Sequence, residues 1–455
     1  MLRPALLRCL LGGDGRACMS AQPLLWYAAL RTRTRAGSHP HECGAGRIQP
    51  EGRRMEVPIT GVVGVLGGSR AEVAIQVRRL GDPDNLRPDA LEVRADLFEE
   101  PSEGLRMLDQ LQGRFPVIFT VRLPGHGGHF HGEESVRAEV YREALRRGAA
   151  LLDAEYDSGA ARSLTEEGAP LIASFHDFRQ GLESSGIERI EREMAALRPR
   201  ALKIVPTAVR QADGLETLRW VARASRSGPG TLSAPARIAF AMGEAGIPSR
   251  VLSLAWGSAW TYGSLGEAVA PGQLTVRELK GLYRAGALGR STRILGVVGR
   301  LQTRSVLAYL LNRAFGAHGI DAVSMPFQVE RIEEIRPLAE ALPIERFCVA
   351  PPFREDALRL ADEVEPAVQA CGRADALAVR AERRPAWLSA QRTESEEIST
   401  LAEALPDCGR NEFERAAAVA RATIEFLQFT GQHADDSEFR RYLDSWADWH
   451  EAVQP

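Results

Sequence analysis

The sequence predicts an α/β protein, a (β/α)8 TIM barrel followed by a smaller α/β domain. Three observations predict it. Between residues 59 and 257, eight short β-rich runs alternate with stretches of helical periodicity. Ionisable residues gather at the C-terminal ends of those runs, where a barrel of this kind places its site. No Gly-x-Gly-x-x-Gly follows a strand, and GVVGVLGG at 61–68 has the wrong spacing for a doubly wound nucleotide fold.

The runs, in order, are ITGVVGVL, ALEVRADL, PVIFTVRL, ALLDAEYD, PLIASFHD, ALKIVPTA, RIAFAMG and VLSLAWG. Between them, segments such as IERIEREMAALRP and DGLETLRWVARAS place apolar residues three and four apart, as one buried helix face requires. The barrel is expected over residues 55–285. After residue 292 a second alternation begins: STRILGVVGR, the helix SVLAYLLNRAFGAHG, DAVSMPFQV, a helix, and RFCVAPPFRE. This unit, 292–455, is too short for another barrel. Residues 372–410 are polar and poorly periodic, and 411–448 read as helices broken at FTGQ.

With 455 residues, 44% of them apolar and 26% charged, the chain can bury a substantial core. Its net charge of -3 and lack of a long basic stripe give no electrostatic case for nucleic acid or an anionic membrane. A small-molecule partner is expected. Six cysteines show neither Cys-x-x-Cys nor metal-ligand spacing, which suits a reducing, cytoplasmic setting. Residues 1–54, rich in arginine, read as a disordered or extension segment before a start at Met55; a transit peptide fits their pattern less well.

Of 57 basic residues only Lys203 and Lys280 are lysines. Lys280 lies in a polar helical stretch, but Lys203 sits inside the apolar run ALKIV. Burial disfavours its ammonium and would make the neutral amine a nucleophile toward carbonyls. The alternative is a structural ion pair, with Glu155 as the expected partner. His176 ends the preceding run, so it would share a mouth with Lys203, and an imine-forming amine beside a proton-moving imidazole suffices for Schiff-base elimination. Arg94, Arg122 and Arg250, with Glu92 nearby, could clamp a carboxylate or simply form rim salt bridges. His126, His129 and His131 in PGHGGHFHGEE invite a metal reading, but nothing completes a ligand set. No metal is expected.

Several motifs in register then resemble type I 3-dehydroquinate dehydratase: LEVRADLFE, FTVRLPGHGG, IASFHDF, ALKIV, MGEAGIPSRVLS and AVAPGQLTVREL, over residues 57–285. The resemblance implies that Lys203 forms an imine with the C3 ketone of 3-dehydroquinate, while His176 removes the C2 proton and helps the C1 hydroxyl leave. It implies that Arg250 holds the carboxylate, that Glu92, Arg94 and Arg122 contact hydroxyls, and that Gln273 closes over the substrate. No metal or organic cofactor is implied, and a homodimer is compatible with it. Two positions depart from the family pattern. His126 stands where a glutamate supports the histidine, and Val269 where a serine or threonine is usual, so reduced turnover is expected.

Residues 292–455 resemble, at lower fidelity, the substrate-binding domain of shikimate dehydrogenase. Ser305 and Asn312 are retained, but Leu307, Ala308, Cys348, Ala350 and Arg354 replace a serine, a proline, an asparagine, a threonine and the catalytic lysine, and Glu394 falls at an aspartate position. FERAAAVARATIEFLQFTGQ resembles the returning C-terminal helix, without a nicotinamide-binding domain between. No dehydrogenase activity is expected. The rival readings are another Schiff-base lyase or aldolase, and a catalytically impaired metabolite-binding or scaffolding protein.

Overall fold

The computed structural model describes residues 59–81, 87–98, 101–179, 181–224, 234–266, 268–299, 305–380, 386–391, 412–446 and 449. The expectations for residues 1–54, Met55 and Glu394 lie outside the described residues.

Eight parallel strands form the first sheet: β1 Gly61–Leu66, β2 Ala90–Arg94, β3 Val117–Thr120, β4 Leu151–Glu155, β5 Leu171–Asp177, β6 Ala201–Pro206, β7 Ala236–Ala239 and β8 Trp260–Ser264. Their order is β7-β6-β5-β4-β3-β2-β1-β8, so β1 pairs with both β2 and β8. The sheet curls until β7 lies beside β8, where the Ala259 N–H donates to the Arg237 carbonyl at 2.8 Å. Helices α1 Arg70–Arg79, α2 Pro101–Leu111, α3 Glu134–Arg146, α4 Gly159–Glu166, α5 Ser184–Ala195, α6 Gln211–Ala224 and α7 Ile247–Trp256 surround it. Both faces of each strand are covered, so the strands read as almost continuous apolar runs rather than alternations.

The eighth run was misplaced by pattern alone. VLSLAWG belongs to α7, and β8 is WTYGS. Residues Ile247 to Ser253 are all buried, because α7 is packed against α6 on the barrel and against the second domain. A helix buried all round shows no amphipathic period and imitates a buried strand. Arg250 therefore projects from a helix, not from the residue before a strand.

Inward residues recur along each strand with a period of two. Ala90, Ile118, Leu151, Ile172 and Ala201 belong to an apolar floor with Trp260. Two residues further along the same strands come Glu92, Thr120, Asp153, Ser174 and Lys203. A side-chain period of two thus converts a run such as ALKIV into apolar floor, then one lysine, on a single face.

The second domain follows. Its strands are β9 Arg293–Gly299, β10 Ala322–Gln328, β11 Ile344–Val349, β12 Glu363–Val364, β13 Ala376–Arg380 and β14 Trp387–Gln391, in the order β10-β9-β11-β13-β14-β12. The helices are α8 Val306–Ala317, α9 Ile335–Ala341, α10 Arg354–Leu360, α11 Pro366–Cys371, α12 Glu412–Thr430 and α13 Asp436–Asp444. Within the polar stretch after residue 372, β13 and β14 form an antiparallel pair that periodicity did not reveal. Gly431, at φ +71°, ends α12 as FTGQ predicted. Among the described residues no helix is long and apolar enough to cross a membrane.

Candidate active site

The C-terminal mouth of the barrel holds a pocket of about 50 Å³. All nine residues named from the sequence line it: Glu92, Arg94, Arg122, His126, His176, Lys203, Val269, Gln273 and Arg250. Phe240, Met242 and Tyr262 supply its apolar wall.

Lys203 comes from the middle of β6, level with Ser174 on β5 and Ile238 on β7. It is 3% exposed, yet its Nζ lies 2.8 Å from Asp153 Oδ2 and 3.4 Å from Glu92 Oε1, over the Tyr262 ring. Glu155, the partner expected from sequence, is two strands away across β5 and is engaged by Arg137 and Arg122. In register it pairs with Ser174 on β5. Asp153 takes the place beside the lysine, and sequence reasoning missed it because it lies one level below the strand end. The signal available was its alternation with Glu155 in LLDAE.

Arg122 binds this carboxylate cluster from above. Its NH1 lies 3.0 Å from Asp153 Oδ1 and 3.3 Å from Glu155 Oε1, and donates to Ser174 Oγ at 2.7 Å. Burial alone would raise the Asp153 pKa, but the Arg122 and Lys203 charges outweigh it and hold the carboxyl well below its usual range. Burial likewise opposes the charge on Arg122, and Asp153, Glu155 and Glu92 reverse that, raising it well above an ordinary guanidinium. Arg122 is thus salt-bridged within the carboxylate cluster while still lining the pocket.

Arg94 is also paired, in a two-pronged contact of 2.9 and 2.8 Å to Asp96. Arg250 differs. It is 1% exposed, no described carboxylate reaches it, its Nε has no hydrogen-bond partner, and its NH2 donates only to the Pro271 carbonyl at 3.3 Å. Burial pushes its pKa down to about 9. A desolvated guanidinium without a described counter-charge has the chemistry to bind an anion.

His176 is the penultimate residue of β5, level with Val205 two residues after Lys203. Burial, with the Arg122 and Lys203 charges, holds its pKa well below the usual imidazole range, so it is neutral at pH 7 and able to accept a proton. Its Nδ1 is buried without a partner. His126, in the expected supporting position, meets it edge-on with ring centroids 6.3 Å apart and does not bond to the ring. His129 and His131 are exposed on either side of buried Phe130, and among the described residues no three His, Cys, Asp or Glu side chains are grouped to hold a metal.

Gln273 Oε1 accepts the Val269 N–H at 2.8 Å, pinning the loop that crosses the mouth. The Val269 side chain lies against the apolar wall, where a hydroxyl would have offered a donor.

Residues 63–296, just over half of the chain, match the family model described as type I 3-dehydroquinase. The chain belongs to that family. The bifunctional 3-dehydroquinate dehydratase/shikimate dehydrogenase of Arabidopsis thaliana, described as chloroplastic, is 26% identical over 296 residues, 63% of this chain and 47% of the relative. That match is longer than the family's own segment of this chain. The 3-dehydroquinate dehydratase of Pyrobaculum aerophilum is 37% identical over 189 residues, covering 41% of this chain and 59% of that protein. The chain thus spans about half of each of these relatives. The structure of dehydroquinate dehydratase and shikimate dehydrogenase from S. pombe aligns with 80% of this chain and 72% of its own, at 21% identity and a TM-score of 0.42.

In the second domain, the positions compared with the substrate-binding domain make internal contacts. Ser305 caps α8 by accepting the Ala308 N–H at 3.3 Å, and Asn312 clasps the Ser324 backbone at 2.9 and 2.7 Å. Arg354 is buried, with its Nε 3.3 Å from Asp375 and 3.3 Å from the Val349 carbonyl. Cys348 is 1% exposed, and burial drives its thiol pKa well up.

Proposed function

We propose that the barrel dehydrates 3-dehydroquinate to 3-dehydroshikimate through a Schiff base. The observation that carries this reading is the convergence, in one pocket, of a buried lysine, a neutral histidine one strand away and an arginine with no described counter-ion. In this reading the Lys203 ammonium gives its proton to solvent water, and the freed amine attacks the C3 ketone, forming an imine with loss of water. The protonated imine acidifies the C2 hydrogen, His176 removes it as general base, and an enamine results. The C1 hydroxyl then leaves as water with the proton that His176 carries. Hydrolysis of the imine releases the enone and restores the lysine.

Arg250 supplies the cationic clamp for the substrate carboxylate; Glu92 and Arg94 face its hydroxyls, and Gln273 closes the mouth. Arg122 belongs to the site by setting the charge of Asp153 and Glu155. Without a carboxylate on the His176 imidazole and without a hydroxyl at position 269, turnover is lower than a fully supported site would give, by a factor of about ten to a thousand. The test is incubation with 3-dehydroquinate and borohydride, followed by intact mass and peptide mapping. Reductive trapping at Lys203 together with a rising enone absorbance is expected; neither signal would end this reading, and trapping without turnover would favour the impaired binding protein.

The domain over 292–455 reads as a degenerate substrate-domain-like module with no dehydrogenase activity. Arginine holds its proton at neutral pH and cannot replace a proton-transferring lysine, and Arg354 is tied to Asp375 besides. Titration with NADPH is expected to give no saturable signal; a hyperbolic one would refute the assignment. Free Cys348 and Cys371 suit a cytoplasmic location.

A further inference from the structure

His126 sits at the end of the short turn Pro124–His126, on the loop after β3. Its Nδ1 accepts the backbone N–H of His176 at 3.4 Å. A neutral imidazole that accepts at Nδ1 carries its proton on Nε2, and here Nε2 faces Asp157 Oδ1 at 3.8 Å, toward solvent. The two histidines are therefore linked through main chain rather than ring to ring. This bond and the edge-on Phe175 ring join His126 to the last residues of β5.

We propose that His126 is a proton-sensitive latch on His176, a positioning residue that fixes the base through its backbone while neutral and releases it when protonated. Protonation at Nδ1 replaces the acceptor with a donor, so two N–H groups face each other and the bond is lost. It also places a positive charge one ring away from a histidine that must stay neutral to act as base. The groups facing His126 are named readily. Glu155 and Asp157 favour its protonation; burial, Arg122, Arg137 and His176 oppose it; the Phe175 ring packs edge-on at 6.0 Å. The opposing set prevails, so the latch is closed at neutral pH and opens only on the acid side of the ordinary imidazole range.

The kinetic consequence rests on the dehydratase reading; the latch itself does not. The acid limb of log(kcat/KM) is expected to approach a slope of two, one proton for each histidine. His126→Asn keeps an acceptor oxygen near the position of Nδ1 but cannot titrate, so its limb should fall to a slope of one. A slope of two retained in His126→Asn would overturn the proposal.

An independent readout uses protein labelled with 15N only at its nine histidines. The His176 amide resonance should move along the titration curve of the His126 ring in the wild type, with or without turnover, and that movement should vanish in His126→Asn. An amide that ignores the His126 titration overturns the latch even if the variant fails to fold. If the wild type gives no turnover while the amide tracks the ring, the dehydratase reading falls and the latch stands.

Discussion

Asp153 shows how one buried residue can set the state of its neighbours. It is fully enclosed, with Lys203 at 2.8 Å and Arg122 at 3.0 Å, so removing its charge strands two cations in a place water does not reach. Breaking a buried pair in this way costs about 3–5 kcal/mol, and Asp153→Asn is expected to lose that much at pH 7 by urea denaturation. The sign with pH follows from the depressed carboxyl pKa. The folded state binds the Asp153 proton less readily than the unfolded chain, so its stabilisation is present above the ordinary carboxylate range and is lost as pH falls toward the folded value. The gap between wild type and variant should therefore narrow in acid; a gap constant from pH 7 downward would show that packing, not charge, makes the difference. Lys203 and His176 could be found in the sequence because each is chemically conspicuous in an apolar strand. Asp153 could not, because a carboxylate one level below a strand end becomes informative only when the register of three strands is known.

At the scale of elements, what was legible followed from how each segment is buried. Seven strands announced themselves as apolar runs, and the alternation of strand and helix was enough to require a barrel. β8 was hidden because WTYGS carries Thr261, Gly263 and Ser264, small or polar residues suited to a crowded corner. A Cβ on Gly263 would stand 2.7 Å from the Val276 nitrogen, where the chain after the closing loop bridges back to the strand at Ser264 and Thr275. The sequence there answers to a close backbone approach rather than to strand propensity. The same logic governs the His126 loop. Gly127 adopts φ +77°, and a Cβ on Gly128 would collide with the Arg122 carbonyl at 2.1 Å, so these two glycines let the loop fold back over the mouth and deliver His126 to the end of β5. The motif showed which residue occupied the position; only the folded loop shows that it grips main chain.

The whole molecule is held as two domains that share a packed boundary, and Arg284 is its rivet. It adopts φ +51°, unusual for a residue with a side chain, at the exit from the barrel. From there its guanidinium donates to the carbonyls of Asn312 on α8 at 2.8 Å and of Ala322 on β10 at 2.6 Å. Gly316 on α8 makes the room, since a Cβ there would lie 2.8 Å from the guanidinium. Gln211, at the start of the helix that follows the lysine strand, reaches across to the Gln328 carbonyl at 2.9 Å. Arg290 adds a bond to the Trp256 carbonyl at the end of α7. These contacts bind the barrel's late elements to α8 and β10 of the second domain, beside which α7 is buried. Arg284→Met keeps the aliphatic stem and the backbone strain but removes both charge-assisted bonds. Each is worth about 1.5–3 kcal/mol where the carbonyls are left without a partner. If the boundary makes the domains one cooperative unit, the urea midpoint for tryptophan fluorescence, which includes the second domain's Trp446 and Trp449 pair, should fall together with the midpoint for borohydride trapping at Lys203. A shift in the fluorescence midpoint alone would mean that the barrel stands without its neighbour, and the second domain would then be a passenger rather than a brace.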